Sequence, residues 1–397
     1  MSDAVLVLNA GSSTIKFGLF DIAPSEPELK CKGLLDEQAK APRIVVTDAS
    51  GKDLFEKHRS AGEGESNGLF TDIFAWIENY LAGGRLVAVG HRIVHGGRNF
   101  TGPVIIDDQA LAALDALTPL APLHQPRCLA PIRVVKALQP NMLQIACFDT
   151  AFHHSLRPPA SRFALPRHFE ERGIRRYGFH GLSFEYIASC LASLGPEWTR
   201  KRIVVAHLGN GASLCALHEG RSLDTTMGLT PLDGLVMGTR CGTIDPGVLL
   251  YLLQEEKMSA DEVAHLLYEK AGLLGVSGVS ADMRALLTSQ EPAAREAIHL
   301  FVFRAAAEVA VMASTLGGLD ALAFTGGIGE HAAEIRQQIC DRLAWLGVHL
   351  DGAANAKGQC SIAAADSKVN VLVIATSEET TIARHCRSLL SGTTAGS

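Results

Sequence analysis

A chain of 397 residues, 47% of them hydrophobic and 20% charged, has apolar material for two full cores and the balance of an ordinary globular protein. Its net charge of −6, with no Lys/Arg cluster, gives no electrostatic footprint for nucleic acid, so arginines and histidines inside motifs are more informative than the total. The nine cysteines are odd in number and scattered without C-x-x-C spacing, which suggests neither a disulfide framework nor a zinc site. The opening "MSDAVLVLNAG" lacks a basic segment, and its apolar run is too short for a signal peptide, so a cytoplasmic protein is expected.

In chain order, strands are expected at 4–9, 15–21, 29–35 and 43–48. A helix follows at 67–82, then a strand and loop at 85–97. Helices are expected from about 108 and after Pro126, before a strand at 143–152. Residues 155–178 read as irregular, and a helix resumes at 181–194. Between the first two strands, "LNAGSSTIKF" (8–17) reads either as a hairpin turn or as a loop turning its N–H groups, Ser12 and Ser13 toward a phosphate, with Lys16 as counter-charge. "VVAHLGNGASLCAL" (204–217) repeats its shape, with Gly209 half a chain length beyond Gly11. That weak repeat implies duplication into two similar domains, each offering a turn to a shared cleft. Helices near 246–256, 259–271 and 293–315 follow; the last is apolar but carries Arg304 and Glu308, and reads as buried rather than membrane-spanning. Strand, glycine turn and long helix (320–347), then strand, acidic turn and final helix (369–390), precede a frayed tail "SGTTAGS". Alternating strands and helices make the chain α/β.

The candidate cations cluster at element ends beside glycine. "FTGGIGEH" (324–331) follows a strand and opens a helix, where N–H groups bind phosphate or merely turn the chain. "GHRIVHGG" (90–97), "YGFHGLSFEYI" (177–187) and "MGTRCGTIDPG" (237–247) place Arg92, His180 and Arg240 in similar positions. Asp149 ends one strand and Glu378 follows another, as hard oxygen ligands for Mg²⁺ would. No G-x-S-x-G elbow and no Walker A loop is present. Glycine turns, carboxylates and cations together are the parts of phosphoryl transfer.

Ordered blocks across nearly the whole chain, "LVLNAGSSTIKF", "GHRIVHGG", "LAPLHQP", "FDTAFH", "YGFHG", "HLGNGAS", "DTTMGLTPLDGLVMGTR", "FTGGIGE" and "TSEE", resemble the acetate kinase family of the acetate and sugar kinase, Hsp70 and actin superfamily. The resemblance implies two duplicated actin-like (ribonuclease H-like) domains around a central cleft. Residues 1–150, joined by the C-terminal helix 379–390, would form one domain, and 151–378 the nucleotide-binding other. It implies Asn9 and Glu378 at the magnesium site, Lys16 as a nucleotide contact, and Arg92 on the substrate carboxylate. Asp149 is similar to the family's active-site acid, and His180 and Arg240 to its transition-state stabilisers. Val94, Leu123, Phe179 and Pro231 resemble the acyl-pocket walls, with His124 also on the substrate side. His207, Leu208, Gly209, Asn210 and Gly211 resemble one nucleotide-binding segment, Asp282, Met283 and Arg284 a second, and Gly327, Ile328, Gly329, Glu330 and His331 a third.

The expected activity is reversible, Mg²⁺-dependent (or Mn²⁺-dependent) transfer of the ATP γ-phosphoryl group to acetate, giving acetyl phosphate and ADP. A homodimer is expected, without nucleic acid or membrane partners. The sequence departs from the family pattern at Gln125, Leu182, at Cys241 and Thr243 in "RCGT", and at His331, none of which removes a catalytic or metal position named above. Alternatives are a propionate or other short-chain acyl kinase and, from a different class, a non-catalytic actin- or Hsp70-like nucleotide-binding module.

Overall fold

A computed structural model describes residues 3–11, 14–36, 42–59 and 66–394. The chain forms two units, residues 1–152 with 377–397 and residues 153–376.

The first unit is built on a mixed sheet of β1 (Asp3–Ala10), β2 (Thr14–Asp21), β3 (Glu28–Asp36), β4 (Arg43–Asp48), β5 (Asp53–His58), β6 (Arg85–Ile93), β7 (Val104–Ile105) and β8 (Leu143–Phe148). The spatial order is β5-β4-β3-β2-β1-β6-β8-β7. β1 to β5 run as an antiparallel meander, while β1, β6 and β8 are parallel neighbours. The unbroken apolar run of β1, buried from Ala4 to Leu8, suits a central strand covered on both faces. Helix Ser66–Leu81 and helix Gln125–Leu138 pack on this sheet, and the closing helix Glu378–Thr394 returns to β1 and β6.

The second unit holds β9 (Ile203–Leu208), β10 (Ala212–His218), β11 (Arg221–Thr225), β12 (Ala321–Thr325) and β13 (Asn370–Val373), in the order β11-β10-β9-β12-β13. Its pairing pattern is antiparallel, antiparallel, parallel, parallel. The run β3-β2-β1-β6-β8 has the same pattern, so the repeat suspected from two turns extends over five strands of each sheet. Helix Pro292–Leu316 is long and apolar enough to cross a bilayer, but it packs on β9, β10 and β11 with Phe301, Val302 and Val309 buried.

Several expectations about elements change, among them the strand expected at 143–152, which ends at Phe148. β5 carries a largely exposed, charged pattern at the sheet edge and gave no strand signal. The single helix expected at 259–271 breaks into Ala260–His265, a wider turn through Lys270, and Gly272–Ser277. Gly272 sits at φ +63 with an added Cβ only 2.2 Å from the Met237 carbonyl oxygen, so the chain must turn there to dock beside Arg240. The long helix expected after the "FTGGIGEH" turn is split at Ala332 into Gly326–His331 and Ala333–Arg342. The final helix begins at Glu378, placing the acidic pair in its first turn, and runs through Thr394 into the expected tail.

Candidate functional site

In the first unit the parallel strands β1, β6 and β8 end side by side, where open α/β sheets gather ligand-binding groups. Asn9 and Arg92 lie near the ends of β1 and β6, and Asp149 follows β8. Arg92 makes a two-pronged bond to Asp149, Nε to Oδ1 at 3.0 Å and Nη2 to Oδ2 at 2.7 Å, and Nη1 donates to Asn9 Oδ1 at 3.1 Å. Asn9 Nδ2 donates to Glu378 Oε2 and Glu379 Oε1, each at 3.2 Å, and Glu378 stands 3.6 Å from Arg92. A carboxylate pair is favoured in a helix's first turn. Burial opposes the charge on Arg92, but Asp149 and Glu378 outweigh it and hold the guanidinium ionised. Burial pushes the Asp149 carboxyl up to about 6 against the pull of Arg92, so it remains a carboxylate at neutral pH. Lys16 is exposed directly across the hairpin from Asn9. Ser12 and Ser13 lie outside the described residues.

This cluster offers only hard oxygens to a cation. Among the described residues no three His, Cys, Asp or Glu side chains form a metal cage. Mg²⁺ takes few protein ligands and completes its shell with water and phosphate oxygens, so Asn9 and Glu378, with Glu379, fit a Mg²⁺ shared with a polyphosphate.

Val94 is buried beside this cluster in sequence, whereas Leu123 is exposed and His124 partly so. Gln125 is fully buried and brackets His95: its Oε1 accepts from the His95 N–H at 3.2 Å and its Nε2 donates to the His95 carbonyl at 3.1 Å. The departure at 125 therefore sits in the scaffold of the "GHRIVHGG" loop.

In the second unit the corresponding parallel strands β9, β12 and β13 deliver His207, the Gly326–His331 turn and Thr376. The "YGFHG" loop is strained, with Gly178 at φ +78 and His180 in the left-handed region at φ +57. His153 buttresses it: Nε2 donates to the Phe179 carbonyl at 3.0 Å, and Nδ1 meets Ser222 Oγ at 2.8 Å. The His180 and His207 rings stack with centroids 4.4 Å apart. A Cβ on Gly211 would lie 2.7 Å from Arg240 Nη2 and 3.1 Å from His180 Nε2, so glycine lets both groups close on this turn. Arg240 Nη1 donates to the Pro231 carbonyl at 2.6 Å. Thr243, one of the departures in "RCGT", donates to Asp233 at 2.9 Å.

Close backbone contacts run beside the three segments expected to take the nucleotide. Gly238 N–H donates to the Asn210 carbonyl at 3.0 Å, and its missing Cβ would sit 3.1 Å from the Ala281 carbonyl oxygen. Gly326, at φ +75, packs against Leu208 with no room for a Cβ. Asp282 caps helix Met283–Thr288 and pairs with Arg284 at 2.6 Å; both are exposed, while Met283 is buried. The 324–331 turn differs from a bare phosphate-binding helix start: Glu330 Oε1 accepts from Gly326 N at 2.9 Å and Thr376 N at 3.1 Å, so its carboxylate occupies that donor. Gly327, Ile328 and Gly329 lie on this turn, and His331 projects into solvent. Behind it Arg336, fully buried, donates to the Gly329 and Glu330 carbonyls at 2.9 Å and to Asn355 at 2.8 Å. Glu379, Ser183, Ser213, Thr376, His153 and Arg336 were not singled out from sequence, although all but Arg336 lie inside a quoted motif.

A profile of the acetokinase family matches residues 4–384. The chain belongs to the acetokinase family. It is 51% identical to an acetate kinase of Rhodopseudomonas palustris over 99% of this chain and 100% of that one. Among solved structures, a propionate kinase from Francisella tularensis superposes with a TM-score of 0.89 at 38% identity, covering 97% of this chain and 99% of that one. An acetate kinase from Porphyromonas gingivalis gives 0.84 at 34% identity, covering 98% and 100%. The two matching five-strand patterns fit the duplicated actin-like domains that the resemblance implied.

Proposed function

We propose that the protein transfers the γ-phosphoryl group of ATP reversibly to the carboxylate of acetate, giving acetyl phosphate and ADP. The acetokinase match across almost the whole chain carries this reading. Acetate, with a pKa of about 4–5 by analogy with Asp and Glu, is ionised at pH 7 and is its own nucleophile. No base is required. Asp149 accordingly acts on Arg92, fixing its guanidinium so that it can hold the substrate carboxylate through paired N–H bonds. Val94, Leu123, Phe179 and Pro231 are assigned to the acyl group, with His124 on the same side. Arg240 and His180 take the charge that develops on the transferring phosphoryl group, each worth roughly 3–4 kcal/mol, mostly in kcat. Lys16, His207 to Gly211, Asp282 to Arg284 and Gly327 to His331 are assigned to the nucleotide. Asn9 and Glu378 would hold Mg²⁺, which neutralises phosphate charge.

Propionate is the second reading, favoured by the likeness to the Francisella enzyme. One methylene changes binding by only about 1–3 kcal/mol, and the branched wall residue Val94 favours the smaller acid. Trapping the product as hydroxamate with Mg-ATP and acetate, propionate or butyrate tests the proposal. Highest kcat/KM for acetate is expected; highest for propionate moves the substrate, and ATP binding without product from any acid leaves a nucleotide-binding module.

We also infer a homodimer. Helix Pro246–Gln254 has no buried residue, and Val248, Leu250, Tyr251 and Leu253 are exposed along it, an apolar surface suited to a second copy. Leu250→Asp with Tyr251→Asp should convert a dimer to a monomer in sedimentation; a monomeric parent would refute the inference. The nine cysteines are free, which suits a reducing cytoplasm.

A further inference from the structure

The hydroxyl groups behind the stacked histidines define where the ring protons lie. Ser213 is fully buried, and its Oγ is 2.8 Å from His180 Nδ1. Among the described residues, that ring nitrogen is the sole side-chain partner of the Ser213 hydroxyl. If Nδ1 carried the ring proton, Ser213 Oγ would accept it and its own hydrogen would be buried without an acceptor, which is costly. The satisfied arrangement has Ser213 donating to an unprotonated Nδ1, which leaves the neutral ring's proton on Nε2.

The same logic applies to His207. Ser183, also fully buried, has its Oγ 2.8 Å from His207 Nδ1 and 2.8 Å from Thr376 Oγ1. A single direction uses both hydroxyl hydrogens: Thr376 donates to Ser183, and Ser183 donates to His207 Nδ1. Reversal would turn the Thr376 hydrogen away from every acceptor among the described residues and leave it to solvent, since Thr376 is half-buried. Thr376 itself is pinned through its N–H to Glu330 at 3.1 Å, so the relay is anchored in the 324–331 turn. The His180 Nε2 lies on the Gly211 side of its ring, beside Arg240 Nη2.

We propose that Ser213 and the Ser183–Thr376 pair are positioning residues that lock neutral His180 and His207 in the Nε2–H tautomer, making both rings hydrogen-bond donors toward phosphoryl oxygens. The proposal deepens the phosphoryl-transfer reading and rests on it for the identity of the acceptor. Phosphoryl oxygens carry only lone pairs, so the opposite tautomer would oppose them with a nitrogen lone pair. Positive charge is already supplied by Arg240, and two stacked imidazolium rings would repel one another. Neutral donors are what the geometry provides.

Long-range ¹H–¹⁵N NMR on the full chain labelled in histidine tests this at neutral pH without relying on turnover. The two rings are assigned with His180→Gln and His207→Gln. Both are expected as Nε2–H tautomers. Ser213→Ala should shift His180 toward the Nδ1–H form and lower kcat at least about tenfold with KM for acetate little changed. Ser213→Thr, which keeps the hydroxyl, should restore the tautomer and most of kcat. An Nδ1–H tautomer or an imidazolium at His180 in the unaltered protein would overturn the proposal. So would a Ser213→Ala protein with tautomer and kcat unchanged. If the Nε2–H forms are observed but no acid is phosphorylated, the functional reading fails and the tautomer lock stands. Should Ser213→Ala not fold, the spectrum of the unaltered protein and Ser183→Ala decide the question.

Discussion

Acid should weaken the second unit through His153. This side chain is fully buried, and burial pushes its pKa down to about 4, with the Phe179 carbonyl pulling weakly the other way. In the unfolded chain a histidine titrates near its ordinary value of about 6.5. Between these values the unfolded state binds the extra proton, so stability rises with pH and is lost as pH falls from about 6.5 through about 4. Working the linkage from pH 7 to pH 5 gives a loss of about 2 kcal/mol from this one ring, of the ~3 kcal/mol available below pH 4. Structure opposes a second ring proton because Nε2 already donates to Phe179 and Ser222, which takes the Cys215 thiol hydrogen at 3.4 Å, is set to donate to Nδ1. His153→Gln keeps a donor and an acceptor but cannot titrate. In urea unfolding, a Trp76→Phe background leaves Trp198 and Trp345, both in this unit, as reporters. The Gln variant should start about 1–2 kcal/mol less stable at pH 7 and lose about 2 kcal/mol less on going to pH 5. Parallel pH profiles for parent and variant would refute the reasoning.

Gly211→Ala places a Cβ against the ends of Arg240 and His180, so kcat should fall about a hundredfold while far-UV circular dichroism stays unchanged; full activity would contradict the close approach. Arg336→Met strips hydrogen bonds from the Gly329, Glu330 and Asn355 carbonyls, and should lower stability by about 3 kcal/mol and raise KM for ATP more than KM for acetate. An unchanged unfolding midpoint would show that those carbonyls find other partners. Chelation should abolish turnover and Mg²⁺ restore it, with Asn9→Ala raising the Mg²⁺ concentration needed for half-maximal rate; an unaltered requirement would remove Asn9 from the metal site.

Much of the fold was legible because its strands are central and apolar: β1 and β8 read directly from "AVLVL" and "IACF". β5 was not, since an exposed edge strand has no buried face to print a period on the sequence. The break at Ala332 was hidden too: Arg336 reaches back across it to the Gly329 and Glu330 carbonyls, and the pattern of apolar residues carries no trace of that bond. The Arg92 and His180 positions stood out as cations at glycine-flanked strand and helix ends, and Asp149 as a carboxylate ending a strand. Ser183, Ser213 and Thr376 did not, because a hydroxyl that orients a ring looks the same in sequence as one that caps a turn. The turn at Glu330 shows the converse: its glycine pattern suggested a phosphate cradle, yet the chain's own carboxylate takes the Gly326 N–H.

The most direct test of the account compares Arg92→Ala with Arg240→Ala in the formation of acetyl phosphate from acetate and Mg-ATP. Arg92→Ala should raise KM for acetate at least tenfold while leaving KM for ATP nearly unchanged, and Arg240→Ala should lower kcat roughly 10²–10³-fold. Acetyl phosphate formed at the parent's rate and acetate affinity by both variants would contradict the claim that these two arginines carry phosphoryl transfer to acetate.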